Sequence, residues 1–162
     1  MLPSEGFGKW WGLADRSVEI TLSSERSPSD ALTEAFAKAE RSIDAAVYKF
    51  SLRTIFVALE EALGRGVAVR LVVDKRLIDL GTAGFTRRLA KKKGRVTVRK
   101  WPGDKLHAKL VIIDDRQVLT GSYNWTKSAE NNTEPLLCFD ESASVGRFSS
   151  LFEDLWKDAE EL

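Results

Sequence analysis

Two hydrophobic periods alternate along the chain. SVEITL (17–22) switches between polar and apolar residues with period two, which predicts a strand with one buried face. In SPSDALTEAFAKAERS, Ser27 stands where an N-cap hydroxyl belongs and Pro28 where a first helical residue belongs, so a helix is predicted from that point. IDAAVYKF (43–50) predicts a second strand. In LRTIFVALEEALGRG, Ile55, Leu59 and Leu63 recur every fourth residue on one helical face, and Gly64 or Gly66 ends the helix. VAVRLVVD (67–74) is almost continuously apolar, the pattern of a strand covered on both faces. A basic helix is predicted over 83–93, stopped by Gly94, with a short strand RVTVRK (95–100) after it.

Beyond Pro102-Gly103 the predicted strands become neighbours. LHAKLVII and QVLTG flank Asp114-Asp115-Arg116, a turn sequence, and predict an antiparallel hairpin. EPLLCF predicts a further strand, and SVGRFSSLFEDLWKDAEEL an amphipathic closing helix with Phe148, Leu151, Leu155 and Trp156 inward. Together these elements predict an α/β fold: one domain over 17–162, with a mixed, mostly β-α-β sheet flanked by helices on both faces. Residues 1–16 precede it as an N-terminal extension, in which Trp10 and Trp11 are expected to pack over a core edge or a dimer surface, with base stacking and a membrane contact as alternatives.

Composition narrows the classes. The chain has 162 residues, enough for one domain with a full core. One cysteine excludes an internal disulfide framework, and one cysteine with one histidine leaves too few soft ligands for a zinc site. Cys138, inside PLLCF, is expected to be a buried, inert thiol. No apolar run approaches the roughly 20 residues of a membrane span, and the first residues lack a signal-peptide pattern, so a cytoplasmic location is the expectation. The net charge of +1 conceals a strong asymmetry: residues 65–109 carry 14 basic against 3 acidic side chains, whereas 130–162 carry 2 against 9. The basic block runs directly into His107, the chain's single histidine, and so points to a polyanionic partner.

That histidine opens HAKLVIIDDRQVLTGSYN (107–124). Residues two apart on a strand share a face, which places His107 beside Lys109 and Ser122 beside Asn124, with Gly121 allowing the turn between strand and loop. If the hairpin pairs as predicted, an imidazole, an ammonium, a hydroxyl and a carboxamide converge at one sheet edge. Such a set suits attack on a phosphodiester: His107 at phosphorus, with Lys109, Ser122 and Asn124 on the non-bridging oxygens. No metal and no cofactor is called for, since Asp114-Asp115 fits a hairpin turn better than a metal clamp.

The run H-x-K-x4-D-x6-G-S-x-N, filled by His107, Lys109, Asp114, Gly121, Ser122 and Asn124, followed by N-x-E at Asn132 and Glu134, resembles the signature of the phospholipase D superfamily. The order of elements from about residue 17 is similar to that of the small, single-motif bacterial endonucleases of that superfamily. The resemblance implies a metal-independent phosphodiesterase working through a phosphohistidine. One histidine attacks phosphorus; a second protonates the leaving oxygen and then activates water. It also implies that Glu134 orients a histidine, across an interface or within the chain. Asp114, although a member of the motif, is expected to be structural, as is Asn132. Because one imidazole cannot flank phosphorus on both sides, this one-histidine chain is expected to form a C2 homodimer with a shared site.

Three activities compete: hydrolysis of nucleic acid, hydrolysis of a lipid phosphodiester by a phospholipase D or cardiolipin hydrolase, and nucleic-acid binding without turnover. The basic block favours the first, with Arg87, Arg88, Lys91, Lys92, Lys93 and Lys105 as candidate phosphate contacts. A membrane partner is not expected. Trp125, next to Asn124, is expected to be a core anchor behind the loop.

Overall fold

Helical connections in the first half of the chain carry it back across the sheet, which lets three successive strands run parallel. In the computed structural model, which describes residues 18–79, 84–92 and 96–162, the order is β1 (Glu19–Leu22), α1 (Pro28–Lys38), β2 (Ser42–Val47), α2 (Arg53–Gly64), β3 (Ala68–Asp74), α3 (Lys75–Asp79), α4 (Gly84–Ala90) and β4 (Val96–Trp101). Then come β5 (Lys109–Ile113), β6 (Gln117–Gly121), a 3-10 turn over Lys127–Asn131, β7 (Pro135–Phe139), α5 (Ser142–Asp158) and β8 (Glu160–Glu161). The expectations placed on residues 1–16, including Trp10 and Trp11, and on Lys93 and Gly94 lie outside the described residues.

One sheet carries all eight described strands, in the order β1-β7-β6-β5-β2-β3-β4-β8. β2, β3 and β4 run parallel; β5, β6, β7 and β1 continue antiparallel on one side, and β8 closes the other edge. Local chemistry sets the ends. The Ser27 hydroxyl accepts the Ser29 N–H with Pro28 at the first helical turn, as the sequence predicts. α2 ends in two bonds, Gly66 N–H to Leu63 O (3.0 Å) and Val67 N–H to Ala62 O (3.1 Å), made possible by Gly66 at φ +92°. The β5–β6 turn holds Asp114 and Asp115 both at φ 55°, a conformation that matches the twist of the hairpin and that aspartate tolerates.

Alternate residues of the central strands enter two cores. Ile43, Ala45 and Val47 of β2 and Val69, Leu71 and Val73 of β3 face α1, α2 and α4. Ala46, Val72, Leu110, Ile112 and Val118 face α5. Trp125 is buried in the first core, edge-on to Phe36 and Phe50 at centroid distances of 5.9 and 5.3 Å, so it anchors the loop as expected. Cys138 is half-buried, and burial pushes its thiol up to about 11, a poor nucleophile.

Three local expectations are corrected. The basic helix is α4, only Gly84–Ala90, so Lys91 and Lys92 lie beyond its end. On α5, Leu151 faces solvent at 47% exposure, and Phe152, one residue on, is the side chain that is fully buried. The closing helix stops at Asp158, and Glu160–Glu161 pair instead with Arg99 and Lys100 of β4 as opposite-charge cross-strand neighbours. The short α3 that follows β3 is an element the sequence pattern did not predict.

Candidate active site

The register brings every motif residue except one to a single sheet edge. Lys109, the first residue of β5, lies opposite Val47 at the carboxyl end of β2. Gly121, the last of β6, lies opposite Leu136, and Leu22, the last of β1, opposite Pro135 at the start of β7. Hence Tyr48, His107, Lys109, Ser122, Asn124 and Glu134 all stand at the edge defined by the carboxyl ends of the parallel strands, where open α/β sheets place their ligands.

Asp114 is the exception. It lies at the other end of β5, roughly 16 Å from Lys109 at about 3.3 Å per residue. Its carboxylate accepts three backbone N–H groups, from Glu40 (3.0 Å), Arg41 (2.7 Å) and Ser42 (2.8 Å), and its own N–H donates to Ser42 O (3.0 Å). Burial works against its ionisation, but those donors outweigh burial and hold the carboxyl below its ordinary range. The motif aspartate thus ties the α1–β2 connection to the hairpin turn, on the side of the sheet away from the histidine.

His107 is exposed, and Lys109 beneath it is only 9% exposed. The Lys109 ammonium donates to the His107 carbonyl at 2.8 Å and lies 3.2 Å from both ring nitrogens. A cation equidistant from Nδ1 and Nε2 at that range lies over the ring face, not along either lone pair. Its charge is the largest cause pulling the imidazole below its ordinary pKa; burial, Lys105 and Lys49 act in the same direction. The neutral, nucleophilic form of His107 is favoured as a result. Lys109 is itself lowered from the ordinary lysine range, by burial first, with Glu134 opposing.

A second cluster sits beside this pair. The Ser122 hydroxyl donates to the Glu134 carboxylate, and Asn132 Nδ2 donates to the same carboxylate at 3.1 Å. Glu134 is 7% exposed, and its backbone is pinned to Ser23 at the end of β1 through Ser23 N–H to Glu134 O (3.0 Å) and Glu134 N–H to Ser23 Oγ (2.9 Å). Within the protomer Glu134 therefore serves Ser122 and Asn132. Asn124 stands at the same edge with its Oδ1 buried and without a hydrogen-bond partner. Gly121 is required by close approach more than by turn geometry: a Cβ there would lie 2.2 Å from the Pro135 carbonyl oxygen.

The positive field at the edge comes from Lys49, Lys105 and Lys109, whose ammonium groups stand 5.3, 4.7 and 5.7 Å from the centre of the Tyr48 ring. Of the described candidate phosphate contacts, Lys105 is the one that joins this group. Arg88 packs over Phe56 at 4.6 Å and Lys92 pairs with Glu60 at 2.7 Å, so these two line the outer side of α2. Sequence reasoning missed Tyr48 and Lys49, which lie just past a strand that was read for its apolar pattern alone. It also missed Asp74, fully buried at the end of β3, which accepts the Leu106 N–H (2.8 Å) and so fixes the residue before His107. A buried acid at the carboxyl end of a parallel strand was the available signal.

Among the described residues no group of three or more His, Cys, Asp or Glu side chains could hold a metal ion, and no helix is long and apolar enough to cross a membrane. Residues 32–156 match the family described as cardiolipin synthase, PLD-like domain. Among curated proteins, mitochondrial cardiolipin hydrolase of Homo sapiens is 34% identical over 128 residues, 78% of this chain and 50% of that protein. Phospholipase D of Rickettsia conorii is 35% identical over 105 residues, 64% of this chain and 52% of the other. The chain thus spans about half the length of these curated relatives. Among solved structures, Nuc of Salmonella typhimurium, a phospholipase D family member, superposes with a TM-score of 0.78 at 26% identity, covering 91% of this chain and 99% of Nuc. NucT from Helicobacter pylori shares the fold at a TM-score of 0.79 and 22% identity, covering 90% of this chain and 100% of NucT.

Proposed function

Because the chain belongs to the PLD-like domain family, within the phospholipase D superfamily, we propose that it is a metal-independent phosphodiesterase, an endonuclease acting on nucleic acid, DNA foremost, from a site shared by two copies. The observation that carries this reading is the pairing of a lone histidine, kept neutral by the ammonium over its ring, with a second polar cluster at the same sheet edge. A neutral ring nitrogen of His107 attacks phosphorus, and the bond to the leaving oxygen breaks. His107 of the partner subunit, holding the one proton that the two imidazoles share across the axis, gives it to that oxygen. Now neutral, it takes a proton from water, whose oxygen displaces the first imidazole and restores both groups. Lys109, Asn124 and Ser122 hold the non-bridging oxygens, and Glu134 fixes the tautomer of a histidine across the two-fold axis.

A nucleic-acid substrate is supported by the excess of basic side chains over 65–109 and by the resemblance to the small, single-motif bacterial endonucleases. Arg87, Arg88, Lys91, Lys92 and Lys93 would extend the contact to phosphates farther along a strand, and Lys105 to those next to the scissile bond. The second reading, hydrolysis of a lipid phosphodiester, is supported by the names of the curated relatives, cardiolipin hydrolase and phospholipase D. A cytoplasmic location belongs to the same proposal and is checked by cell fractionation.

One set of incubations separates these readings: single-stranded DNA, duplex DNA, RNA and cardiolipin-containing liposomes, each in excess chelator, with His107→Ala in parallel. Cleavage of nucleic acid in chelator that vanishes in the variant is the expected result. Headgroup release without nucleic-acid cleavage would transfer the assignment to a lipid hydrolase. Binding without turnover of any substrate would leave a non-catalytic module.

A further inference from the structure

We propose that Tyr48 is the positioning residue for His107: its ring, and no hydrogen bond within the protomer, sets the plane of the attacking imidazole. The proposal rests on reading His107 as the nucleophile. The two rings meet at a centroid distance of 5.1 Å and an interplanar angle of 50°, a tilted contact within the usual aromatic range. Lys109 cannot set the plane by itself. Its ammonium lies over the ring face, equally near both nitrogens, on a flexible four-carbon stem that can follow the ring as its plane turns. Glu134, which could orient a histidine, is already engaged with Ser122 and Asn132 in its own protomer. The tyrosine ring is therefore the described neighbour whose contact depends on the tilt of the imidazole plane.

Tyr48 is well placed to act as a fixed wall. Its N–H donates to the Ala108 carbonyl at 3.1 Å, which ties it to the residue next to the nucleophile. The following carbonyl, of Lys49, accepts the N–H of the buried Trp125 at 2.9 Å, which ties it to the core. The backbone that carries the ring is thus held on both sides, with Val47 of the central strand β2 immediately before it. Its face also collects the ammonium groups of Lys49, Lys105 and Lys109, so one side chain orders both the nucleophile and the cations around it.

The single histidine makes the test direct, because every imidazole signal in a proton spectrum of the chain belongs to His107. In the unmodified protein, nuclear Overhauser contacts are expected between the His107 ring protons and those of Tyr48. Tyr48→Leu, which removes the ring, is expected to move the His107 ring shifts and to lower kcat on bis(p-nitrophenyl) phosphate roughly 10- to 100-fold with KM little changed, the signature of a misplaced nucleophile. Tyr48→Phe, which keeps the ring, is expected to restore both shifts and kcat. Absence of the contacts overturns the proposal, whatever the variants do. So does a Tyr48→Leu protein with undiminished kcat, or a Tyr48→Phe protein as slow as Tyr48→Leu, which would assign the effect to the hydroxyl. Contacts present in a protein that hydrolyses no phosphodiester would refute the function and not the geometry; hydrolysis that needs His107 but not the Tyr48 ring would do the reverse.

Discussion

Replacing Asp114 by asparagine separates a structural from a chemical role for the aspartate of the motif. The carboxylate accepts three N–H groups, two at one oxygen from Arg41 and Ser42 and one at the other from Glu40. Asparagine can keep its carbonyl oxygen toward Arg41 and Ser42, but its amide then presents hydrogens to the Glu40 N–H. Hydrogen bonds to a charged group contribute about 1.5–3 kcal/mol each, and two of the donors lie on exposed residues where water replaces part of the loss, so a destabilisation of about 2–4 kcal/mol at pH 7 is expected. The sign with pH follows from the direction of the shift. A carboxyl whose folded pKa is depressed contributes stability above its unfolded value, about 3.9, and loses it as pH falls through the folded value. Urea unfolding of Asp114→Asn and the parent protein, at one protein concentration, should therefore give curves well separated at pH 7 that draw together as pH falls below the ordinary carboxyl range. Activity of the folded variant should stay within about threefold, since roughly 16 Å separates Asp114 from Lys109. A variant of unchanged stability and abolished turnover would refute the structural assignment and restore Asp114 to the chemistry.

The ammonium of Lys109 is the largest cause of the low His107 pKa, so Lys109→Met should raise the titration midpoint of the sole histidine in proton spectra; an unmoved midpoint would mean that the charge is not felt at the ring. Gly121→Ala should force β6 and β7 apart at Pro135 and cost about 1–3 kcal/mol in a thermal or urea melt, whereas an unaffected melt would mean that the strands can yield at that point. Neutralising Lys49 or Lys105 should reduce the salt slope of nucleic-acid binding by about one per charge on short and long strands alike. Reversing Lys91 and Lys92, which lie past α4, should weaken binding only for strands long enough to reach them; equal loss on short strands would place that cluster at the active edge.

The hydrophobic periods carried most of the fold. Period two and period 3.6 locate β1, β2, β3, α1 and α2, and Asp114-Asp115-Arg116 locates the hairpin, because those segments form from local preferences that tertiary packing does not overrule. β8 was not legible, since its two glutamates acquire a strand conformation only from Arg99 and Lys100 across the sheet edge. Leu151 and Phe152 are adjacent apolar residues, and the helix phase that buries one and exposes the other depends on where α5 lands on the sheet. At the site, His107, Lys109, Ser122, Asn124 and Glu134 were legible as a spacing pattern. The division of labour among them was not, because it depends on which oxygen or ring face each donor reaches. Tyr48 and Lys49 escaped notice for a related reason: β2 is remote in sequence from His107, and only the β2–β5 pairing makes them neighbours.

The shared site is the central claim, and the mass of the active species tests it most directly. Sedimentation of the enzyme in excess chelator, with hydrolysis read across the boundary, should place all activity at twice the chain mass and make it fade on dilution as the dimer dissociates. Full activity sedimenting at the mass of one chain would show that a single His107 suffices and would contradict the mechanism.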